Sequence, residues 1–141
     1  MKNIIKVTIA IIFLFTAINF GQDAKEKTKP KTLVFSQNKV QMADMGKVNK
    51  MIDEVFAPIL NQLVDEGMLY GWGQLNHAWG DEWNLNIWYS AENMGSFYKF
   101  WGEYIKRVRE KHPKAFGEAT KLFQAHKDNI YSIVQSYSGK E

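Results

Sequence analysis

The spacing of hydrophobic residues changes several times along the 141-residue chain, and each change marks an element. A short basic start, Met1 to Lys6, is followed by an apolar run from Val7 to Ile18 broken only by Thr8 and Thr16. From Thr32 the strand formers Leu33, Val34 and Phe35 appear, and polar residues alternate with Val40 and Met42, which predicts a first strand over Thr32–Met42. From Val48 the apolar residues fall at 48, 51, 52, 55, 56, 59, 60, 63 and 64, one face of an amphipathic helix. Asp44 is placed to N-cap that helix and Gly67 to stop it. Pro58 lies inside the run and is expected to kink or split it, because its nitrogen has no proton to donate.

Met68–Ser90 reads as a β-hairpin with arms over Met68–Ala78 and Trp83–Ser90, and Trp79-Gly80-Asp81-Glu82 supplies the turn. In the second arm Trp83, Leu85, Ile87 and Tyr89 alternate with Asn84, Asn86 and Trp88. The register of the arms stays open. A two-residue turn puts Leu75 and His77 beside Asn84, Asn86 and Trp88, whereas an odd register puts Trp72, Gln74 and Asn76 there. Ser90 is placed to cap a second helix with the stripe Met94, Phe97, Trp101, Tyr104, Ile105 and Val108, ending before His112-Pro113. A third helical piece is expected from Pro113, packing through Phe116, Ala119, Leu122 and Phe123. Lys127-Asp128-Asn129 is expected to break it, and Ile130–Tyr137 to form a last strand. The order β-α-β-β-α-(α)-β predicts an α+β, ferredoxin-like fold: a four-stranded antiparallel sheet with helices on one face. Such a sheet leaves its other face bare, and a second copy of the chain is the expected cover.

The N-terminal pattern changes the domain picture. A run of about 12 apolar residues is short of the roughly 20 that span a bilayer. Residues 1–21 therefore read as a signal peptide cleaved after Gly21, with Asn19 a poor −3 residue. Export to a periplasm or the extracellular space follows, with no stable membrane insertion after cleavage. Residues 22–31 read as a charged linker, and 32–141 as one domain. The net charge of +3 belongs to these appendages, since the body from Thr32 carries 12 bases against 13 acids. A nucleic-acid partner thereby loses its electrostatic basis. The absence of cysteine removes disulfides, thiolate metal sites and cysteine nucleophiles. The three histidines, His77, His112 and His126, are too far apart in sequence to suggest a metal site.

Four of the five tryptophans lie between Trp72 and Trp88. Amides beside a flat aromatic suit a planar polar ligand, so Trp72, His77, Asn84, Asn86, Trp88 and His126 are the candidate ligand-binding residues. A wet interface or a barrel interior is the competing use of the same side chains. His126 could also simply favour a helix C-terminus, and Lys106, Arg107, Arg109, Lys111 and Lys114 a solvated helix end. Adjacent Asp81 and Glu82 make a poor acid/base pair, no Gly-rich phosphate loop or nucleophile elbow appears, and no catalytic residue is assigned.

The long first helix with Pro58, the stretch Gly71-Trp72-Gly73 leading into His77-Ala78-Trp79-Gly80-Asp81-Glu82-Trp83-Asn84, and the closing His126-Lys127-Asp128-Asn129-Ile130-Tyr131 resemble small proteins of the dimeric α/β-barrel superfamily. The resemblance covers Thr32 to Tyr137. It implies a homodimer with facing sheets and a pocket between each sheet and its helices. The superfamily includes cofactor-free quinone-forming monooxygenases, haem-degrading enzymes and stress-responsive proteins, so the resemblance implies no single reaction. Haem-degrading members resemble one another in a first-strand Asn, a third-strand Trp and a His on the following helix. Asn38 and Trp88 could stand for the first two, but no histidine occurs between Ala78 and Lys111, which disfavours haem. No cofactor is expected. The expected activity is binding of a small planar or amphipathic molecule, with a cofactor-free oxygenase or a ligand-free structural protein as alternatives.

Overall fold

The computed structural model describes residues 29–79 and 83–135. The expected leader, most of the linker, the Gly80-Asp81-Glu82 turn tip and residues 136–137 of the expected last strand lie outside them. Strands β1 (Thr32–Val40), β2 (Gly71–Asn76), β3 (Leu85–Ala91) and β4 (Phe123–Ser132) form one antiparallel sheet in the order β2-β3-β1-β4. Helices α1 (Met45–Met51), α2 (Ala57–Asp65), α3 (Met94–Lys111) and α4 (Ala115–Thr120) cover one face. This is the ferredoxin-like α+β fold that the element order predicts. Val34, Val40, Leu85 and Tyr89 from the sheet meet Val48, Ile52, Leu60, Leu63, Phe100 and Val108 from the helices in a single core.

Pro58 does not end its helical run, but the α-helix is interrupted just before it, as the sequence predicts. Between α1 and α2 the chain takes one π-helical turn, Ile52–Phe56, in which the Ala57 N–H donates to the Ile52 carbonyl five residues back. The wider turn absorbs the proline at the start of α2, where a missing donor costs least. The helical run ends as expected at Gly67, whose φ of 78° is left-handed. Gly67 N–H donates to Val64 and Met68 N–H to Leu63, a Schellman closure.

Three capping expectations are corrected. Asp44 makes no side-chain cap; a single 3-10 turn, Met42–Asp44, leads into α1 instead. Ser90 lies inside β3, and Asn93 caps α3 by accepting from the Ser96 N–H at 2.9 Å. Pro113 sits in a turn before α4 rather than at its first helical position.

The last strand is also corrected. It begins at Phe123 and runs straight through Lys127-Asp128-Asn129. These polar residues do not break it because each is used: Lys127 lies 4.1 Å over the Trp83 ring, Asp128 meets His126, and Asn129 donates to Gln37. An edge strand tolerates, and is protected by, such charge.

Candidate functional site

The pairing of β2 with β3 settles which side chains share a face. Leu75 lies opposite Asn86, Gly73 opposite Trp88, and the His77 N–H donates to the Asn84 carbonyl. Leu75, His77, Asn86 and Trp88 therefore belong to the open face of the sheet. Trp72, Gln74, Leu85, Ile87 and Tyr89 belong to the helix face.

The six candidate residues are divided by this register. On the open face, the Trp88 indole crosses β2 directly over Gly73: a Cβ there would sit 2.5 Å from Trp88 Nε1. Only glycine permits that approach. Asn86 donates to the Trp83 carbonyl at 3.0 Å, and its Oδ1 is buried without a hydrogen-bond partner among the described residues. His77 is exposed. Asn84 is buried, and its amide bridges the Val40 backbone, accepting from N–H at 2.9 Å and donating to the carbonyl at 2.7 Å. It continues the β1–β3 ladder where the strands diverge, a structural task. Trp72 points the other way, its indole N–H donating to Asn61 at 2.9 Å. The tryptophan-rich hairpin does not gather around one concavity.

His126 is different. The sequence suggests a helix end for it, but it stands on β4 and faces the helices. Between the sheet and the helices lies a cavity of about 380 Å³. Its floor is Ser36 and Asn38 from β1, Ile87 and Tyr89 from β3, and Ala125, His126 and Asp128 from β4. Its roof is Val48, Met51, Ile52, Phe56 and Leu60, with Trp101 and Tyr104 of α3 and Phe116 and Ala119 of α4. The π turn supplies Ile52 and Phe56 to this roof, so the local answer to Pro58 also shapes the cavity.

The wall is mostly apolar, aromatic and aliphatic side chains together. Trp101 lies 5.5 Å from Tyr104 and 6.0 Å from Tyr89 between ring centroids, and Phe116 lies 5.6 Å from Phe56. Burial raises the pKa of the Tyr89 and Tyr104 phenols, so both keep their protons. The negative charge of Asp128 pushes Tyr89 further in the same direction.

One end of the cavity is polar. Asn38, almost wholly buried, directs its amide N–H₂ at the Leu85 and Ser36 carbonyls, both at 3.4 Å. Its Oδ1 then accepts from His126 Nδ1 at 2.8 Å. His126 Nε2 in turn meets Asp128 Oδ2 at 3.2 Å. Asn38 Oδ1 and Asp128 Oδ2 can only accept, so each of these hydrogen bonds uses an N–H of the ring, and a carboxylate, a ring and an amide stand in line at the rim. Asn38 and Asp128 were not among the candidates. The signal that could have found them is period-two spacing in β4, which brings positions 126 and 128 to one face once that strand is recognised.

The residues of the haem-degrading pattern do not come together: Asn38 faces the helices, Trp88 faces away, and α3 carries no histidine. Among the described residues no group of three His, Asp or Glu is placed to hold a metal ion.

No family model matches the sequence, and no curated protein does. Solved structures do match. A dimeric ferredoxin-like protein from an uncultured marine organism superposes with a TM-score of 0.65 at 12% identity, over 80% of this chain and 96% of that one. A NIPSNAP family protein from Agrobacterium tumefaciens gives 0.57 at 11% identity, covering 71% and 90%. A putative antibiotic biosynthesis monooxygenase from Nitrosomonas europaea gives 0.54 at 9% identity, covering 74% and 99%. At such identities the likeness is one of fold: the chain is similar in architecture to the dimeric ferredoxin-like, α/β-barrel proteins.

Proposed function

We propose that this ferredoxin-like chain binds a small, planar or amphipathic molecule in the cavity between its sheet and its helices. The observation that carries the reading is the cavity itself: about 380 Å³, walled by aromatic and aliphatic side chains, with hydrogen-bonding groups gathered at one end. That volume lies in the range of small-molecule pockets, roughly 300–1,000 Å³, and the mix of an apolar wall with a few oriented polar groups is what such pockets share. Trp101 and Phe116 supply flat surface, and the line from Asn38 through His126 to Asp128 makes one end polar.

The protein works as a homodimer in this reading. Its open sheet face carries Leu33, Phe35, Trp88 and Tyr131, with Phe35 and Tyr131 in edge-to-face contact at 6.2 Å. A face of that character calls for a cover, and two of the similar structures are themselves described as dimeric. The basic start and short apolar run at the N-terminus support export. Binding rather than turnover is proposed, and no cofactor enters the reading.

The test is calorimetric titration of the purified protein with an uncharged naphthyl ketone. Saturable binding of one ligand per chain is expected. It should be lost when Ala119→Phe, or independently Ser36→Leu, fills the cavity, and kept in Trp88→Ala on the opposite face. Binding that survives both cavity-filling changes, or none by any uncharged planar aromatic, refutes the proposal. Oxygen consumption on binding would move the reading to a cofactor-free oxygenase, the activity class in the name of one structural neighbour.

A further inference from the structure

The cavity wall has an unusual charge inventory. Among the described residues that line it there is no lysine and no arginine. Asp128 is the only acid, and His126 the only other titratable group apart from the phenols. Both ring nitrogens of His126 are already engaged, one by Asn38 at 2.8 Å and one by Asp128 at 3.2 Å. A ligand carboxylate or phosphate entering this space would find no uncommitted cation to receive it, because the His126 ring is turned to Asn38 and Asp128, and it would meet a protein carboxylate in its path. An anion buried without a partner is strongly disfavoured. A ligand cation fares little better. The one carboxylate is committed to His126 and stands 55% exposed to water, and no second acid backs it.

We infer that the molecule held in the cavity is uncharged, and that Asp128 on β4 is the residue that excludes anions from it. The inference rests on the ligand-binding reading above and adds the class of ligand. The carboxylate's field is felt inside: Tyr89, buried on the neighbouring wall, has its phenol pushed upward by burial and then by Asp128. An anion beside Tyr89 would meet that same field. The ligand's polar groups are then matched by hydroxyl side chains. Ser36, Tyr89, Tyr104 and Thr120 line the space with hydroxyls that donate or accept as the ligand requires.

Three probes sharing one ring system test this on the full-length protein at neutral pH: acetylnaphthalene, naphthoate and naphthylmethylammonium. The ketone is expected to bind best, with naphthoate weaker by about ten-fold or more, because it loses hydration as any buried ion does and also meets the Asp128 charge. Asp128→Asn keeps the shape and an acceptor for His126 but removes the charge. Asp128→Ser removes the charge with a smaller side chain. In both, naphthoate should gain several-fold relative to the ketone, so the ratio between them shrinks. Equal binding of naphthoate and ketone by the unaltered protein overturns the inference alone, as does a ratio that both variants leave untouched, or ammonium binding tighter than the ketone. Failure of all three probes overturns the cavity reading and this inference together.

Discussion

Replacing Gly73 by alanine isolates one contact whose cost can be worked from the structure. The new Cβ would lie 2.5, 2.7 and 2.8 Å from Nε1, Cε2 and Cζ2 of Trp88, inside the 3.0 Å that real Cβ contacts respect. Favourable carbon contacts begin near 3.5 Å, so the indole must retreat by about 1 Å. Overpacking of this kind costs about 1–3 kcal/mol. Against it stands the smaller entropy of the unfolded chain when glycine becomes alanine, worth about 0.4–1 kcal/mol. The net expectation is a loss of about 1–2 kcal/mol, and for a domain of about 100 residues a fall in Tm of roughly 4–8 °C per kcal/mol. Gly71 is the internal control. It lies two residues away on the same face, yet its added Cβ would meet Trp88 Cη2 at 3.6 Å, an ordinary contact. Gly71→Ala should be neutral or stabilising. Thermal unfolding followed by circular dichroism, with each glycine changed in both the Trp88 and the Trp88→Ala backgrounds, forms a double-mutant cycle. Gly73→Ala should be destabilising only while the indole is present. Equal stability of the two alanine variants, or a Gly73→Ala penalty that survives Trp88→Ala, would refute the reasoning. If a second chain covers this face, the indole has nowhere to retreat, and Gly73→Ala should also weaken the dimer in sedimentation.

Asn84→Ala leaves the Val40 N–H and carbonyl without their partner. Two buried orphan groups should cost about 2–4 kcal/mol in urea unfolding; a loss below half a kcal/mol would show that water replaces the amide. Arg107 links the end of the first helical run to α3, bonding both Glu66 oxygens at 2.8 Å and Glu103 at 2.8 Å. Its guanidinium holds both carboxyls below their ordinary 4.5. Their stabilisation is therefore complete above that value, where the unfolded chain is also ionised, and is lost as pH falls through the lower folded pKa values. The stability gap between the unaltered protein and Arg107→Met should be present at neutral pH and narrow as the pH falls below 4.5; a gap independent of pH would show that Arg107 acts through packing alone.

The alternation of Leu85, Ile87 and Tyr89, the helical period from Val48 to Val64 and the stop at Gly67 were legible in the sequence because each is a local signal, repeated over neighbouring residues or set by one backbone preference. Together they determined the element order, and the order determined the ferredoxin-like sheet. Asn93 was hidden as a cap because Ser90 is an equally good cap in isolation, and only the length of β3 excludes it. The sequence also drew attention to the hairpin, where tryptophans and amides are dense, and away from β4, where Lys127-Asp128-Asn129 looks like a turn.

Tertiary structure decided everything that depends on pairing. Shifting β2 against β3 by one residue would exchange Leu75 and His77 for Trp72 and Gln74 at no cost to any local preference. The register sends Trp88 and Asn86 to one face and leaves the cavity to the other. Pairing with β1 is what keeps the polar stretch of β4 extended and places His126 opposite Asn38, 88 residues away in sequence. Side-chain period is a property of a strand taken alone, but a site is made of contacts between strands, and those form only when the sheet closes over its core.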